Sequence, residues 1–172
     1  MAAVKVLGAI LVLSGSVLFG LRVCSADRER LNLLRELIYA LEQLQGELEL
    51  RCAPFPDLFL SVSNRAQGKA CGFLRDIAEE MKRLGEESFA DIWSRQVQRA
   101  FPALSQDERD ELSRLGMTLG KMDLEAELRA LAGCRAYLGS RLSDLLEQLP
   151  GRRRLTLGLS AAAGLVTVIL MI

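Results

Sequence analysis

Apolar residues are concentrated at the two ends of the chain and recur at helical intervals through its middle. Residues 6–21 contain no charged side chain, and residues 155–172 contain none either. Each run is close to the roughly 20 residues that a helix needs to cross a hydrocarbon core about 30 Å thick. The pattern predicts a transmembrane helix at 1–22, a second one at 155–172, and a domain of residues 23–154 between them.

The N-terminal run has a second interpretation as a cleaved secretory signal. Small residues follow it at Cys24-Ser25-Ala26, where a cleavage site would lie. The run is longer than a usual signal core, however, and its start carries only Lys5. Both interpretations stand, and the length of the run favours a retained helix.

The middle of the chain predicts helices throughout. Its first segment carries leucine or isoleucine at helical spacing, and Pro54 and Pro56 end that segment. Asp57 is expected to cap a short helix from Leu58 to about Arg65. Because no segment shows sustained period-two alternation, we predict an all-α fold, a cytoplasmic helical bundle flanked by the two transmembrane helices. The apolar stripe of the first segment consists of Leu31, Leu34, Ile38, Leu41, Leu44 or Gln45, and Leu48.

Several helix ends are marked by local signals. Ser88 is expected to cap one helix, and Ser105 with Glu108 has the form of a capping box. Gly120 is suited to close a helix in the left-handed conformation, and Asp123 to cap the next one. The last helix carries a leucine row that only Arg135 interrupts. Arg135 is expected either to extend along the apolar surface towards water or to pair with an acidic residue of a facing helix. The row consists of Leu124, Leu128, Leu131, Leu138, Leu142, Leu145 and Leu149.

The net charge of zero conceals an uneven distribution. Residues 31–147 contain 15 basic and 20 acidic side chains, whereas the flanking residues 22–30 and 148–154 contain six arginines and two acidic residues. Arginine beside both apolar runs places the middle domain in the cytoplasm under the positive-inside rule, with the flanks against anionic lipid headgroups. The juxtamembrane arginines are Arg22, Arg28, Arg30, Arg152, Arg153 and Arg154.

Candidate chemistry is sparse. The chain has no histidine and none of the glycine-rich phosphate, dinucleotide or nucleophile motifs, so we expect no catalytic, cofactor-binding or metal-binding residues. Balanced charge argues against nucleic acid as a partner. The acidic run at 107–111 falls in a predicted first helical turn, where it favours the helix dipole. The irregularly spaced cysteines are expected to be reduced and buried, and they are Cys24, Cys52, Cys71 and Cys134.

With these motifs in hand, the chain resembles the stage III sporulation protein AB family of endospore-forming bacteria. The resemblance extends over almost the whole chain. Its most specific element is Leu119-Gly120-x-x-Asp123, with further matches at residues 5–9 and 44–48, at Pro54-Phe55 and at Ile92-Trp93. The family often has leucine in place of Phe55 and glutamine in place of Glu127, which are mild departures.

The resemblance implies a non-enzymatic platform subunit of a secretion-like complex between mother cell and forespore. Family members are similar to the F-type platform proteins of type II secretion systems, which are helical and contact an assembly ATPase. The chain would then lie in the mother-cell membrane facing the forespore, with the AA-type ATPase and other membrane subunits of the same operon as partners. Pro54, Phe55, Trp93, Leu119, Gly120 and Asp123 are the candidate interaction residues. The alternative is a membrane-tethered helical adaptor or signalling protein unrelated to sporulation.

Overall fold

The described part of the chain is helical and contains no strand. The computed structural model describes the backbone of residues 2–50, 54–82, 87–121 and 123–171, and the side chains of residues 25–50, 54–82, 87–121 and 123–148. This confirms the predicted all-α class. The helices are α1 (Ala2–Leu50), α2 (Phe55–Ser63), α3 (Gly68–Met81), α4 (Phe89–Ala100), α5 (Gln106–Thr118) and α6 (Leu124–Met171).

By its internal contacts the chain divides into two units. Residues 30–143 form one of them, called the central unit below, and residues 1–29 with 144–172 form the other. Among the residues whose side chains are described, no helical stretch is long and apolar enough to cross a membrane. Both predicted transmembrane segments, 1–22 and 155–172, lie outside those residues and remain a prediction.

The core of the central unit is built from the apolar faces of all six helices. Helix α2 packs on α3, α3 on α4, and α4 on α5. The α1 stripe is buried as predicted, except that Ile38 is only half-buried. The predicted row of α6 is partly wrong: Leu124 is exposed, while Glu127 and Cys134 are buried. The buried face contains Leu131, Leu138 and Leu145 of the row, together with Glu127 and Cys134.

Two other predictions concern single residues of these helices. Arg135 pairs with Glu42 of α1, at 3.7 Å between Nη1 and Oε1, so the pairing alternative is confirmed. Asp57 does not cap α2, which begins at Phe55 and ends at Ser63. Pro54 takes the N-cap place, and its carbonyl accepts the N–H groups of Asp57 and Leu58. The proline-fixed backbone suits a first helical turn, so the helix begins earlier than the acidic residue suggests.

Trp93 holds α4 against α5. Its indole Nε1–H donates to the carbonyl oxygen of Leu112 at 2.7 Å, and its side chain is buried. The indole lies across Gly116, where any Cβ atom would overlap it. The absence of a side chain at this position therefore permits the close approach of the two helices.

We expect Gly116→Ala to destabilise the full-length chain by about 1–3 kcal/mol, because the new methyl group must displace a tightly packed indole. The matched control is Gly133→Ala, also within a helix, where an added Cβ would meet nothing within 4 Å. The control should be neutral or slightly stabilising because alanine is the better helix former. Urea unfolding followed by circular dichroism measures both, and equal midpoints would contradict the close approach.

Candidate interaction surface

An aromatic series runs from one end of the central unit into its core. Six rings of the described residues follow one another, with neighbouring centroids 4.8 to 6.3 Å apart. The outermost rings are half-buried and the rest are buried. Such packing holds the outer rings on a rigid support. From the surface inward the rings are Phe55, Phe89, Phe59, Trp93, Phe73 and Phe101.

The turn between α5 and α6 is a hydrogen-bonded unit. Gly120 adopts the left-handed conformation with φ of +85°, and its N–H donates to Glu127 Oε1 at 2.8 Å. Asp123 Oδ1 accepts the N–H of Ala126 at 3.1 Å. The predicted structural roles of Gly120 and Asp123 are thus confirmed. Leu119 is buried beneath the turn.

The candidate interaction residues converge on this end of the central unit. A Cβ atom on Gly120 would lie 3.8 Å from the Phe89 ring, and the Phe55 ring centroid lies 6.3 Å from that of Phe89. Pro54, Gly120 and Asp123 are exposed here. Trp93 and Leu119 are buried, so they support the surface from below and offer no contact of their own.

Exposed apolar side chains are concentrated at the same end. Five large hydrophobic side chains of the described residues are exposed, and three of them lie in the last turn of α1, the last turn of α5 or the first turn of α6. These are Leu50, Met117 and Leu124, which are 85%, 55% and 48% exposed. Together with Phe55 and Phe89 they form what we call the apolar end face. Concentration of this kind is typical of protein-binding surfaces.

The sequence did not identify two residues of this site. Phe89 follows the predicted cap at Ser88 without a motif of its own, and Glu127 stands out only as a departure from a family glutamine. Glu127 is buried, and its Oε1 atom accepts the Gly120 N–H across seven residues. Glutamine offers the same acceptor, so the exchange between the two residue types was the signal that could have pointed to this role.

Arg30, predicted as a juxtamembrane residue, binds a buried carboxylate. Its Nη2 and Nε atoms donate to Glu108 Oε1 and Oε2 at 2.7 and 3.2 Å. The Glu108 side chain is 0% exposed and that of Arg30 is 31% exposed. Of the other arginines in that set, Arg28 is exposed, whereas the side chains of residues 22 and 152–154 lie outside the described ones.

Glu108 also completes the predicted capping box, which is confirmed. Its carboxylate accepts the Ser105 N–H at 2.8 Å, and the Ser105 hydroxyl accepts the Glu108 N–H. Burial raises the pKa of this carboxyl, but the hydrogen bonds from Arg30 and Ser105 and the Arg30 charge outweigh it, so the pKa lies below its ordinary value. Glu108 therefore carries a tertiary ion pair as well as the dipole interaction expected of a first-turn acidic residue.

Within the described residues, no group of three histidine, cysteine or acidic side chains could hold a metal ion. Cys134 is buried and lines a cleft of about 190 Å³ between α5 and α6. Burial, with a smaller effect of the Glu111 charge, raises the pKa of its thiol to about 12. The thiol is therefore protonated at neutral pH and a poor nucleophile. Cys71 is half-buried and free, and the side chains of Cys24 and Cys52 lie outside the described residues.

Comparison with known proteins identifies the family. The family model of stage III sporulation protein AB matches residues 5–172, which is nearly the whole chain. The chain belongs to the stage III sporulation protein AB family. A solved structure described as stage III sporulation protein AB is similar to this fold with a TM-score of 0.62 and 19% sequence identity, covering 70% of this chain and 96% of its own. No curated protein matches the chain.

Family membership supports a role in sporulation. At 19% identity the solved structure supports the fold alone. The family resemblance inferred from the sequence motifs is thus confirmed.

We expect Arg30→Ala to destabilise the full-length chain by about 2–3 kcal/mol, because it leaves Glu108 buried without its cation. The figure is below that of a fully enclosed pair because Arg30 is partly exposed. Arg28→Ala, in the same helix and exposed, is the control and should change stability by about 0.5 kcal/mol or less. Urea unfolding of the full-length chain distinguishes the two, and a neutral Arg30→Ala would refute the stabilising pair.

The lowered pKa of Glu108 also predicts that the free energy of unfolding depends on pH. Its pKa is lower in the folded chain than the ordinary value of 4.5, so its contribution is complete above that value and is lost as pH falls through the lowered pKa. Glu108→Gln should be less stable than the parent at neutral pH, and the difference should shrink below pH 4.5. Urea midpoints measured down this range test the prediction. A constant difference across it would show that ionisation of Glu108 contributes nothing.

Proposed function

We propose that the chain is a non-enzymatic platform subunit of the mother cell–forespore transport complex, and that its helical domain docks an assembly ATPase. The observation that carries the proposal is the apolar end face. This surface is exposed and rigidly supported, and the chain that bears it matches a sporulation family over residues 5–172. A platform needs a preformed protein-binding surface and no chemistry of its own.

The rigidity of the apolar end face favours a protein-binding role for this surface over a role only in packing the fold. Phe55 and Phe89 rest on buried rings, and the adjacent turn is fixed by hydrogen bonds from the N–H groups of Gly120 and Ala126. A partner that binds such a surface loses little free energy in ordering it. Exposed apolar side chains without a partner, by contrast, favour unwanted association.

Membrane attachment is part of the proposal. Segments 1–22 and 155–172 would anchor the subunit in the mother-cell membrane as a two-pass protein with its central domain in the cytoplasm. Support comes from the length of the two uncharged runs and from the arginines on the inner side of each. The bilayer and the other membrane subunits of the same operon are then further partners.

The test is co-purification from sporulating cells. Tagged full-length chain, extracted in detergent, should retain the ATPase and the other membrane subunits. A deletion of residues 31–147 that keeps both apolar runs should lose the ATPase, because it removes the helical domain.

Three outcomes oppose parts of the proposal. Isolation of the intact chain without the ATPase would contradict docking. Equal amounts of the chain in vegetative cells would favour the adaptor alternative. Labelling of Cys71 in intact cells by a membrane-impermeant thiol reagent would contradict a cytoplasmic domain.

A further inference from the structure

The apolar end face is bordered by acidic side chains. Asp57 and Asp91 lie in the first turns of α2 and α4, and Asp123 precedes α6. All three are exposed, and so are the two described lysines nearest this end, Lys82 after α3 and Lys121 before α6. Acidic residues at helix starts are explained by the helix dipole alone. Here, however, each of the three lies within two residues of Phe55, Phe89 or Leu124, and the helix dipole does not explain the exposure of those apolar side chains.

None of these three carboxylates contacts a described cation. The Asp91 carboxylate accepts the Ser88 hydroxyl at 2.6 Å, and the Asp123 carboxylate accepts the backbone N–H of Ala126 at 3.1 Å. Elsewhere in the central unit carboxylates pair with arginine across helices, as Glu47 does with Arg65. The end face therefore combines apolar contact area with negative charge that is available to a partner.

We infer that the apolar end face docks a protein surface in which arginine or lysine side chains surround an apolar contact, and that the assembly ATPase provides this surface. The inference rests on the proposed function for the identity of the partner and on the end face for its chemistry. Arginine suits the site best, because a guanidinium can pair with a carboxylate while it stacks on an aromatic ring. Phe55 and Phe89 are half-buried, and their ring centroids are 6.3 Å apart.

The test measures binding of purified ATPase to the full-length chain in detergent, at low and at high salt. The charge variant carries Asp57→Asn, Asp91→Asn and Asp123→Asn; at position 123, where the side chain caps α6, asparagine caps as well as aspartate does. The control variant carries Asp76→Asn, Glu79→Gln and Asp110→Asn, which remove the same charge from α3 and α5. We expect the charge variant to bind about tenfold more weakly, as three exposed charge contacts would allow, and the control within about twofold of the parent.

A second pair of variants tests the apolar contact. Leu124→Gln should weaken binding, whereas Tyr39→Gln should not, although the two parent side chains are 48% and 46% exposed. Binding of the parent should fall as salt rises, and binding of the charge variant should depend less on salt. Thermal unfolding of each variant verifies that it is folded before binding is measured.

The outcomes separate the two proposals. If the parent chain does not bind the ATPase at all, the docking function fails, and the inference about its chemistry fails with it. If the parent binds but the charge variant and its control bind equally, the inference is overturned while docking stands. Equal loss in Leu124→Gln and Tyr39→Gln would likewise exclude the apolar end face as the binding surface.

Discussion

The contact between the Trp93 indole and α5 is the constraint on which the central unit depends. It joins two helices by a buried hydrogen bond to a backbone carbonyl, and it requires glycine at position 116. Trp93 also lies in the middle of the aromatic series, with its ring centroid 5.0 Å from that of Phe73 and 5.7 Å from that of Phe89. One side chain therefore sets the spacing of α4 and α5 and supports the rings that reach the surface. A change in the spacing of α4 and α5 would therefore also displace the rings of the apolar end face.

Two buried carboxylates lie at opposite ends of α5, and each accepts a hydrogen bond from a backbone N–H group. Glu108 accepts the Ser105 N–H at the start, and Glu127 accepts the Gly120 N–H beyond the end. Buried backbone donors without a partner are costly, so each carboxylate stabilises a loop that would otherwise require water. Glu108 is balanced by Arg30 from α1, which couples the start of α5 to a helix 78 residues earlier in the chain. Helix α5 is thus fixed at both ends by residues that other helices supply or balance.

Local features of this fold could be predicted from the sequence, and distant ones could not. The caps formed by Ser88, Ser105 and Asp123 are hydrogen bonds to residues three positions away, so the residue types alone identify them. Asp57 failed as a cap because Pro54 began the helix three residues earlier. The pairing of Arg30 with Glu108 depends on how α1 packs against α5, which no local pattern contains. Helix α6 shows the same limit, since its leucines predicted a row while packing buried Glu127 and Cys134 beside them.

The proposed function depends on how little the surface of the chain must change on binding. Side chains at the apolar end face are held by buried rings on one side and by a hydrogen-bonded turn on the other. Preorganisation of this kind favours binding without the ordering cost that a loop would carry. The Cys134 thiol, with its pKa raised to about 12, is too weakly acidic to supply a nucleophile at neutral pH. A rigid apolar face suits the proposed platform role, in which the chain holds a partner in place while chemistry occurs in the partner.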